Sequence, residues 1–168
     1  MPDTKIYSLE ATKNRMVKVV GISEAKSSSD QAVTLVTYAL GSCVAVSIWD
    51  SKANVGGLWH FLLPESPENI DNPLKYADSG LDMFLEQFQA KGGDLRLAEV
   101  KLIGGAKVLA NSSNDIGTQN VNSITNELHR RNIKIKACDI GKANSRTAML
   151  RVDDGSVTIR SRKNISQI

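Results

Sequence analysis

Aromatic residues and cysteines are scarce in this chain, and both shortages narrow the range of functions. Only 5% of the 168 residues are aromatic, so the sequence does not indicate stacking platforms for nucleic-acid bases. The two cysteines, Cys43 and Cys138, are too few for a disulfide framework. We therefore expect reduced thiols, as is usual in the cytoplasm. A reduced thiol is free to act as a nucleophile.

Long apolar runs and a strong excess of one charge are also missing. No apolar stretch approaches the roughly 20 residues that a membrane-spanning helix needs. The polar N-terminus lacks the apolar segment of a signal peptide. The net charge is only +3 and the basic residues are scattered, so nucleic acid is not an expected partner. These features predict a cytoplasmic protein without membrane insertion, with a monomer as the default state in the absence of a partner.

The hydrophobic content of 41% and the length fit one globular domain. Residues 1–14 are polar and aperiodic and are predicted to form a flexible N-terminal tail. Residues 15–168 form the predicted domain. Strand patterns dominate its two ends, and helices alternate with strands in the middle. The predicted fold class is α/β, a single-domain layered sandwich of mixed, largely antiparallel β-sheet with two main helices.

The individual elements follow from hydrophobic periodicity and β-branched content. The predicted strands are residues 16–22, 32–38, 43–49, 55–63, 100–103, 133–139, 147–152 and 156–162. Predicted helices over residues 75–91 and 117–131 each carry an apolar stripe. Residues 23–31 and 65–73 are predicted loops. Residues 153–155 (DDG) predict a hairpin turn.

Cys43 and His60 lie on either side of a short polar segment, residues 50–54. If residues 51–52 form the tip of a β-hairpin, Cys43 faces His60 directly. Directly opposed side chains have Cβ atoms about 4.5–5.5 Å apart, and at that separation an imidazole can activate a thiol. A bulge at residues 56–57 would instead make the two residues diagonal neighbours. In both cases we expect them on one accessible face.

Each of these residues also has a purely structural interpretation. A cysteine at the start of a strand is commonly a small buried hydrophobe, and a histidine between two aromatic residues is commonly part of the core. Gly41 and Ser42, just before Cys43, favour a sharp turn that exposes the thiol and directs backbone N–H groups at a reacting carbonyl. They are candidates for shaping the site and for an oxyanion hole. Composition alone leaves both interpretations open.

Two segments around the pair resemble a known family. Residues 37–43 (TYALGSC) and 58–64 (LWHFLLP), with His60 placed 17 positions after Cys43, are similar to the signature of CheD, the chemoreceptor glutamine deamidase family of bacterial chemotaxis. The resemblance covers about residues 17–162. Further matching segments follow in the same order: residues 75–78, 103–106, 116–117 with Asn120, and 139–141.

The resemblance implies an enzyme, a protein-glutamine glutaminase with a cysteine nucleophile. It implies Cys43 as the nucleophile, His60 as general base and later acid, and Thr37 as the residue that orients the imidazole. A neighbouring imidazolium is expected to lower the pKa of the Cys43 thiol. The implied substrate is a glutamine on the signalling domain of a methyl-accepting chemoreceptor, converted to glutamate with release of ammonia. No cofactor and no metal are needed, and a receptor methylesterase side activity fits the same acyl chemistry.

Three positions depart from the family pattern. Ala39 and Lys142 stand where glycine is usual, and Trp59 replaces a small residue beside His60. In a regular strand Trp59 points to the face opposite His60. Outside the motif segments, Cys138 is interpreted as structural and His129 as a helix-end histidine favoured by the helix dipole.

Two other functions remain alternatives to the deamidase. The family also binds CheC-type phosphatases of the response regulator CheY, and such a partner can compete for the same cleft. The chain could therefore act mainly as a binding regulator of that phosphatase, with little catalysis. It could also be a thiol amidase or peptidase with another substrate, because the cysteine–histidine chemistry is shared.

Overall fold

The computed structural model describes residues 15–107, 113–162 and 164–168. Within these residues, two five-stranded sheets and two α-helices build an α/β sandwich, which confirms the predicted fold class. The predicted tail, residues 1–14, lies outside the described residues. In chain order the elements are β1 (Met16–Val19), β2 (Glu24–Ser28), β3 (Val33–Leu40), β4 (Val44–Asp50), β5 (Val55–Phe61), a 3-10 helix (Pro73–Lys75), α1 (Ala77–Ala90), β6 (Glu99–Gly104), α2 (Ile116–Arg130), β7 (Ile135–Ile140), β8 (Arg146–Arg151), β9 (Val157–Ser161) and β10 (Asn164–Gln167).

The strands are shared equally between the two sheets. The first sheet has the order β1-β3-β8-β9-β10, and the second has the order β2-β5-β4-β6-β7. Among the ten described strands, β1 pairs in parallel with β3 and β6 pairs in parallel with β7, and the other neighbours are antiparallel. The hairpin predicted at residues 153–155 is confirmed, since β8 and β9 are antiparallel neighbours.

Strand β4 lies at the centre of the second sheet and is covered on both faces. Val44, Val46 and Ile48 pack in one apolar cluster with the two helices. Ala45 packs in a second cluster, which is formed by side chains of both sheets. The molecule therefore has three layers: the first sheet, the second sheet and the helices. This double coverage explains why the segment is an almost continuous apolar run rather than an alternating one.

The two helices pack their apolar stripes on the outer face of the second sheet. The stripe of α1 consists of Ala77, Leu81, Phe84, Leu85 and Phe88. Helix α2 begins at an Asp115 cap, whose side chain accepts the backbone N–H of Thr118. Within the described ranges, neither helix is long and apolar enough to cross a bilayer.

Two edge strands differ from the prediction. Strand β2 lies within the predicted loop 23–31, and β10 follows the last predicted strand. Strand β2 (EAKSS) contains no β-branched residue and is ordered by its pairing with β5. Strand β10 is ordered in the same way by β9. Tertiary pairing determines such edge strands, and local propensity does not reveal them.

Candidate active site

The register of the β4–β5 hairpin determines how Cys43 and His60 are related. The ladder runs without interruption from Val44 opposite Phe61 to Asp50 opposite Val55, and it places Ala45 opposite His60. The predicted direct pairing of Cys43 with His60 is therefore wrong by two residues. The cause is a four-residue loop at 51–54, and the regular ladder shows no bulge at residues 56–57.

Asp50 stabilises this longer loop. Its Oδ1 accepts the backbone N–H groups of Lys52 and Ala53 at 2.9 and 3.2 Å. The loop closes at Asn54, which has a φ of 52°, a left-handed conformation that asparagine tolerates better than most residues. In the sequence, Asp50 and Asn54 are the residues that indicate a four-residue loop. The predicted two-residue hairpin tip does not take them into account.

A shift by two residues keeps each side chain on the same face, because side chains alternate with a period of two. Cys43 belongs to the cluster between the sheets, together with Ala45 and Leu58. Leu58 precedes His60 by two positions on β5, so Cys43 and His60 are diagonal neighbours on the inner face. Diagonal neighbours are about 7–8 Å apart, which remains within reach of side-chain rotation.

Trp59 points to the opposite face, as predicted. Its ring belongs to the cluster on the helix side, and its indole N–H donates to the carbonyl of Leu74 at 2.8 Å. The centroid of the Phe61 ring lies 4.9 Å from that of Trp59. This departure from the family pattern therefore changes packing beneath α1 and leaves the inner face unaltered.

Thr37 meets His60 from the other sheet. The Thr37 hydroxyl donates to the carbonyl of Val20 at 2.7 Å, and its Oγ1 lies 2.7 Å from Nδ1 of His60. A hydroxyl can donate only one hydrogen bond, and Thr37 donates it to the Val20 carbonyl. Thr37 must therefore accept a hydrogen bond from an Nδ1–H group, which leaves the lone pair of the imidazole on Nε2.

The open nitrogen of His60 has the properties of a base. Nε2 is buried and has no hydrogen-bond partner among the described residues. The whole side chain is buried, and this burial lowers the pKa of His60 to about 4. The imidazole is consequently neutral at pH 7, with a free lone pair on the nitrogen that faces away from Thr37.

Cys43 is also neutral in the resting structure. The residue is 7% exposed, and burial raises the pKa of its thiol. The expected lowering of this pKa by an imidazolium is not found, since His60 itself is held neutral. The expected accessible face is also wrong, because the shared face lies between the sheets. The resting pair is a protonated thiol beside a neutral imidazole.

The turn before the cysteine is held through its carbonyl groups. Gly41 O accepts from the Ala106 N–H at 2.8 Å, and Cys43 O accepts from the Gly105 N–H at 2.8 Å. Between them, Ser42 O accepts from the Asn120 side-chain amide at 2.9 Å. Three consecutive carbonyl groups are thus fixed by groups outside the turn.

The N–H groups of the same turn are used differently. The Gly41 N–H donates to Ala39 O at 2.9 Å, so it is occupied. The N–H groups of Ser42 and Cys43 donate to no backbone or side-chain oxygen within the described part of the chain. The Cys43 N–H instead interacts with its own sulfur, where it favours the anionic form. Within the described residues, neither donor is paired with an oxygen, and the Cys43 donor contacts only its own thiol.

Gly104 and Gly105, in the matching segment 103–106, lie directly against Cys43. Gly104 has a φ of 112°, and a Cβ atom added to it would lie 2.3 Å from the Cys43 carbonyl oxygen. The buried guanidinium of Arg146 donates to Gly104 O at 2.9 Å. No sequence pattern indicates a role for Arg146 or Asn120, although Asn120 lies in one of the matching segments.

The other candidate residues are separate from this site. Cys138, interpreted from the sequence as structural, is exposed on β7. His129 lies in the last turn of α2 and is exposed, as predicted. Across residues 15–107, 113–162 and 164–168, no three His, Cys, Asp or Glu side chains are grouped so that they could hold a metal ion.

Comparison with known proteins shows which family the chain resembles along most of its length. A family model described as CheD chemotactic sensory transduction matches residues 62–161. A Thermotoga maritima protein named "chemoreceptor glutamine deamidase CheD" is 34% identical over 145 residues, 86% of this chain and 92% of the relative. A segment of that length must include positions 37, 43 and 60 wherever it begins.

Two further relatives agree with this match. A Thermococcus kodakarensis protein named "probable chemoreceptor glutamine deamidase CheD" is 41% identical over 133 residues, 76% of this chain and 83% of the relative. A protein of the same name from Clostridium acetobutylicum is 35% identical over 133 residues, with 76% and 80% coverage. The matches span most of both chains in each pair.

Proposed function

This chain belongs to the CheD family, and on that premise we propose that it deamidates glutamines of chemoreceptors with Cys43 as nucleophile, His60 as base and Thr37 as orienting residue. One observation carries the assignment: the chain of hydrogen bonds from Val20 O through Thr37 to Nδ1 of His60. It leaves a neutral imidazole with an open Nε2 on the same face as the only buried cysteine of the described residues.

The first half of the reaction forms a thioester. The Cys43 sulfur bonds to the side-chain carbonyl carbon of the glutamine, and the thiol proton passes to Nε2 of His60. The carbonyl electrons move to the oxygen, and the N–H groups of Ser42 and Cys43 are the proposed donors that stabilise it. Of the two oxyanion candidates in the sequence, Ser42 has the open donor, and Gly41 shapes the turn because its N–H is occupied.

The second half releases the products. The imidazolium returns its proton to the amide nitrogen, the C–N bond breaks and ammonia leaves. A water molecule then attacks the thioester and gives its proton to Nε2. The C–S bond breaks, glutamate is formed and the sulfur regains its proton. Thr37 carries no charge, so the imidazolium is only a transient species, in keeping with the low pKa of His60.

The names of the relatives support a receptor substrate. We propose a glutamine on the signalling domain of a methyl-accepting chemoreceptor, modified in the cytoplasm, where both free cysteines would stay reduced. A glutamate methyl ester presents the same acyl carbon with methanol as the leaving group, so a methylesterase side activity belongs to the same proposal. A CheC-type phosphatase is the proposed protein partner.

The test is incubation of the protein with a chemoreceptor signalling domain, followed by peptide mass spectrometry. We expect glutamine-to-glutamate conversion at defined positions and no cleavage of the receptor chain. Peptide-bond cleavage without deamidation would indicate a thiol peptidase instead. Stimulation of a CheC-type phosphatase by a protein that leaves every receptor glutamine unchanged would indicate a binding regulator.

A further inference from the structure

Asn120 joins the cysteine turn to the histidine strand at a point where their backbones no longer pair. The β4–β5 ladder ends at Val44 opposite Phe61. Beyond it, the N–H of Leu62 donates to Lys75 O, so β5 turns away from β4. The Asn120 side-chain nitrogen donates to Ser42 O at 2.9 Å and to Leu62 O at 3.0 Å. A single amide group thus replaces the missing ladder bonds.

The two bonds bracket the proposed reacting groups. Ser42 immediately precedes Cys43, and Leu62 follows His60 by two positions. Both protons come from one planar nitrogen, so the two carbonyl oxygens are held at a spacing that the amide determines. We infer that Asn120 is a positioning residue, which holds the nucleophile and the base at their reactive separation. This inference rests on the proposed function.

Helix α2 packs closely enough against its neighbours to hold Asn120 in a fixed position. Gly117 packs so closely on the glycine turn that an added Cβ atom would lie 2.5 Å from Ala106 O and 2.6 Å from Gly105 O. One turn beyond Asn120, the Ser123 hydroxyl donates to Pro64 O at 2.8 Å. Asn120 therefore extends from a fixed helix rather than from a flexible loop.

The amide oxygen of Asn120 indicates that packing alone does not explain why an asparagine stands at this position. Asn120 is 0% exposed, and its Oδ1 is buried with no partner among the described residues. A buried acceptor without a partner costs about 1–3 kcal/mol. A leucine of similar size would avoid that cost, but it could not donate to Ser42 and Leu62. The two donated bonds are the property that only the amide supplies.

The experiment compares Asn120→Ala with Ser123→Ala, a matched control on the same helix. Both changes remove a partly buried hydrogen bond to a backbone carbonyl, but the Ser123 hydroxyl donates to Pro64 O, which belongs neither to the cysteine turn nor to β5. With a receptor signalling domain as substrate, we expect Asn120→Ala to lower kcat about 10-fold to 100-fold with little change in KM, as a misplacement of about 1 Å does. Ser123→Ala should stay near wild-type kcat.

A second variant preserves the shape of the side chain. Asn120→Asp can donate at most one hydrogen bond, and only while its carboxyl is protonated. Its kcat relative to wild type should therefore fall further as pH rises, which a packing role would not produce. Wild-type kcat in folded Asn120→Ala, equal losses in both alanine variants, or an Asn120→Asp pH profile parallel to wild type would each overturn the inference.

These outcomes are separable from failure of the proposed function. If Cys43→Ala retains deamidation, the assignment of the site is wrong whatever Asn120 does. If Cys43→Ala is inactive and Asn120→Ala is fully active, only the positioning role fails. Thermal unfolding of each variant, measured alongside, shows whether a loss of kcat arises from loss of the fold.

Discussion

Thr37 Oγ1 and Nδ1 of His60 lie 2.7 Å apart and join the two sheets of the sandwich. Thr37 belongs to β3 of the first sheet, and His60 belongs to β5 of the second. The orientation of the proposed base is therefore set by the packing of one sheet on the other. The tautomer of the imidazole depends on the same contact, since Thr37 donates its only proton to Val20 O.

The Thr37→Val change removes the hydroxyl but keeps the branched shape of the side chain, so it tests the hydroxyl alone. The change leaves His60 Nδ1 and Val20 O without their partner, and each such buried group costs about 1–3 kcal/mol. With the tautomer no longer fixed, we expect kcat for receptor deamidation to fall about 10-fold or more, which is part of the roughly 10²-fold to 10⁴-fold that a positioned general base contributes. Peptide mass spectrometry of the receptor over time measures the rate.

Two variants serve as controls for that experiment. Thr37→Ser keeps the hydroxyl and should retain most of the activity. Thr34→Val removes a hydroxyl from a buried position on the same strand, away from His60, and should leave kcat unchanged. If Thr37→Val were as active as Thr37→Ser, the threonine would have no role in orienting the base.

The stability of the protein should depend on pH through His60. Its pKa is about 4 in the folded state and 6.5 in its ordinary state. The unfolded chain therefore binds a proton first, and stability begins to fall as pH drops below about 6.5 and continues to fall until about pH 4. The shift corresponds to a loss of about 3 kcal/mol in the free energy of unfolding.

Denaturant unfolding at pH 7 and at pH 4 measures this effect. A His60→Asn variant should lose less stability than wild type over that interval, by up to the full amount. The matched control is His129→Asn, which removes a histidine that is exposed in the folded protein. Equal pH dependence of wild type and His60→Asn would contradict a neutral buried imidazole.

The two cysteines should differ in their reactivity towards a small alkylating agent. Cys43 is buried and burial raises its thiol pKa, whereas Cys138 is exposed. Because the thiolate is the reactive form, iodoacetamide at pH 7 should label Cys138 well before Cys43 when no substrate is present. Peptide mapping gives both rates in one sample. Faster labelling of Cys43 would mean that a thiolate is already formed in the resting enzyme.

Two departures from the family pattern occupy glycine-like backbone positions. Ala39 has a φ of 57° and Lys142 a φ of 63°, and Ala39 lies within the irregular pairing between Thr37 and Leu40. A left-handed conformation costs a non-glycine residue roughly 1–2 kcal/mol. The family preference for glycine at both positions thus has a conformational reason.

Ala39→Gly should consequently stabilise the protein, by about 0.5–1 kcal/mol after the greater flexibility of the unfolded glycine chain is included. The matched control is Ala53→Gly, at an exposed turn position that is not among the residues with positive φ. There only the flexibility term remains, so the variant should be destabilised. Thermal unfolding measures both, and a lower Tm for Ala39→Gly would contradict the strain.

Hairpin spacing predicts that Cys43 and His60 are paired, the family resemblance implies Thr37, and hydrophobic periodicity predicts the fold class. None of these patterns gives the geometry that relates the three residues. The register was missed because Asp50 and Asn54 build a four-residue loop, and an even shift preserves the shared face. The contact of Thr37 with His60 crosses between sheets, so no local pattern encodes it. The neutral state of both groups follows from burial, which depends on the assembled layers.

The role of Asn120 is a second feature that the sequence alone does not reveal. Asn120 lies in a matching segment. Its role, however, depends on the carbonyl groups of Ser42 and Leu62, which are distant from it in the chain. Hydrogen bonds to backbone carbonyls carry no side-chain signature at the accepting residue. Such contacts become visible only when helix α2 is placed against the second sheet.

The central claim is that the Cys43 sulfur attacks the glutamine, and the direct measurement compares Cys43→Ala with Cys138→Ala. Each variant is incubated with a chemoreceptor signalling domain, and glutamine-to-glutamate conversion is followed by peptide mass spectrometry. We predict no conversion above background with Cys43→Ala and the wild-type rate with Cys138→Ala, both folded as judged by thermal unfolding. Conversion by Cys43→Ala at the wild-type rate would contradict the account.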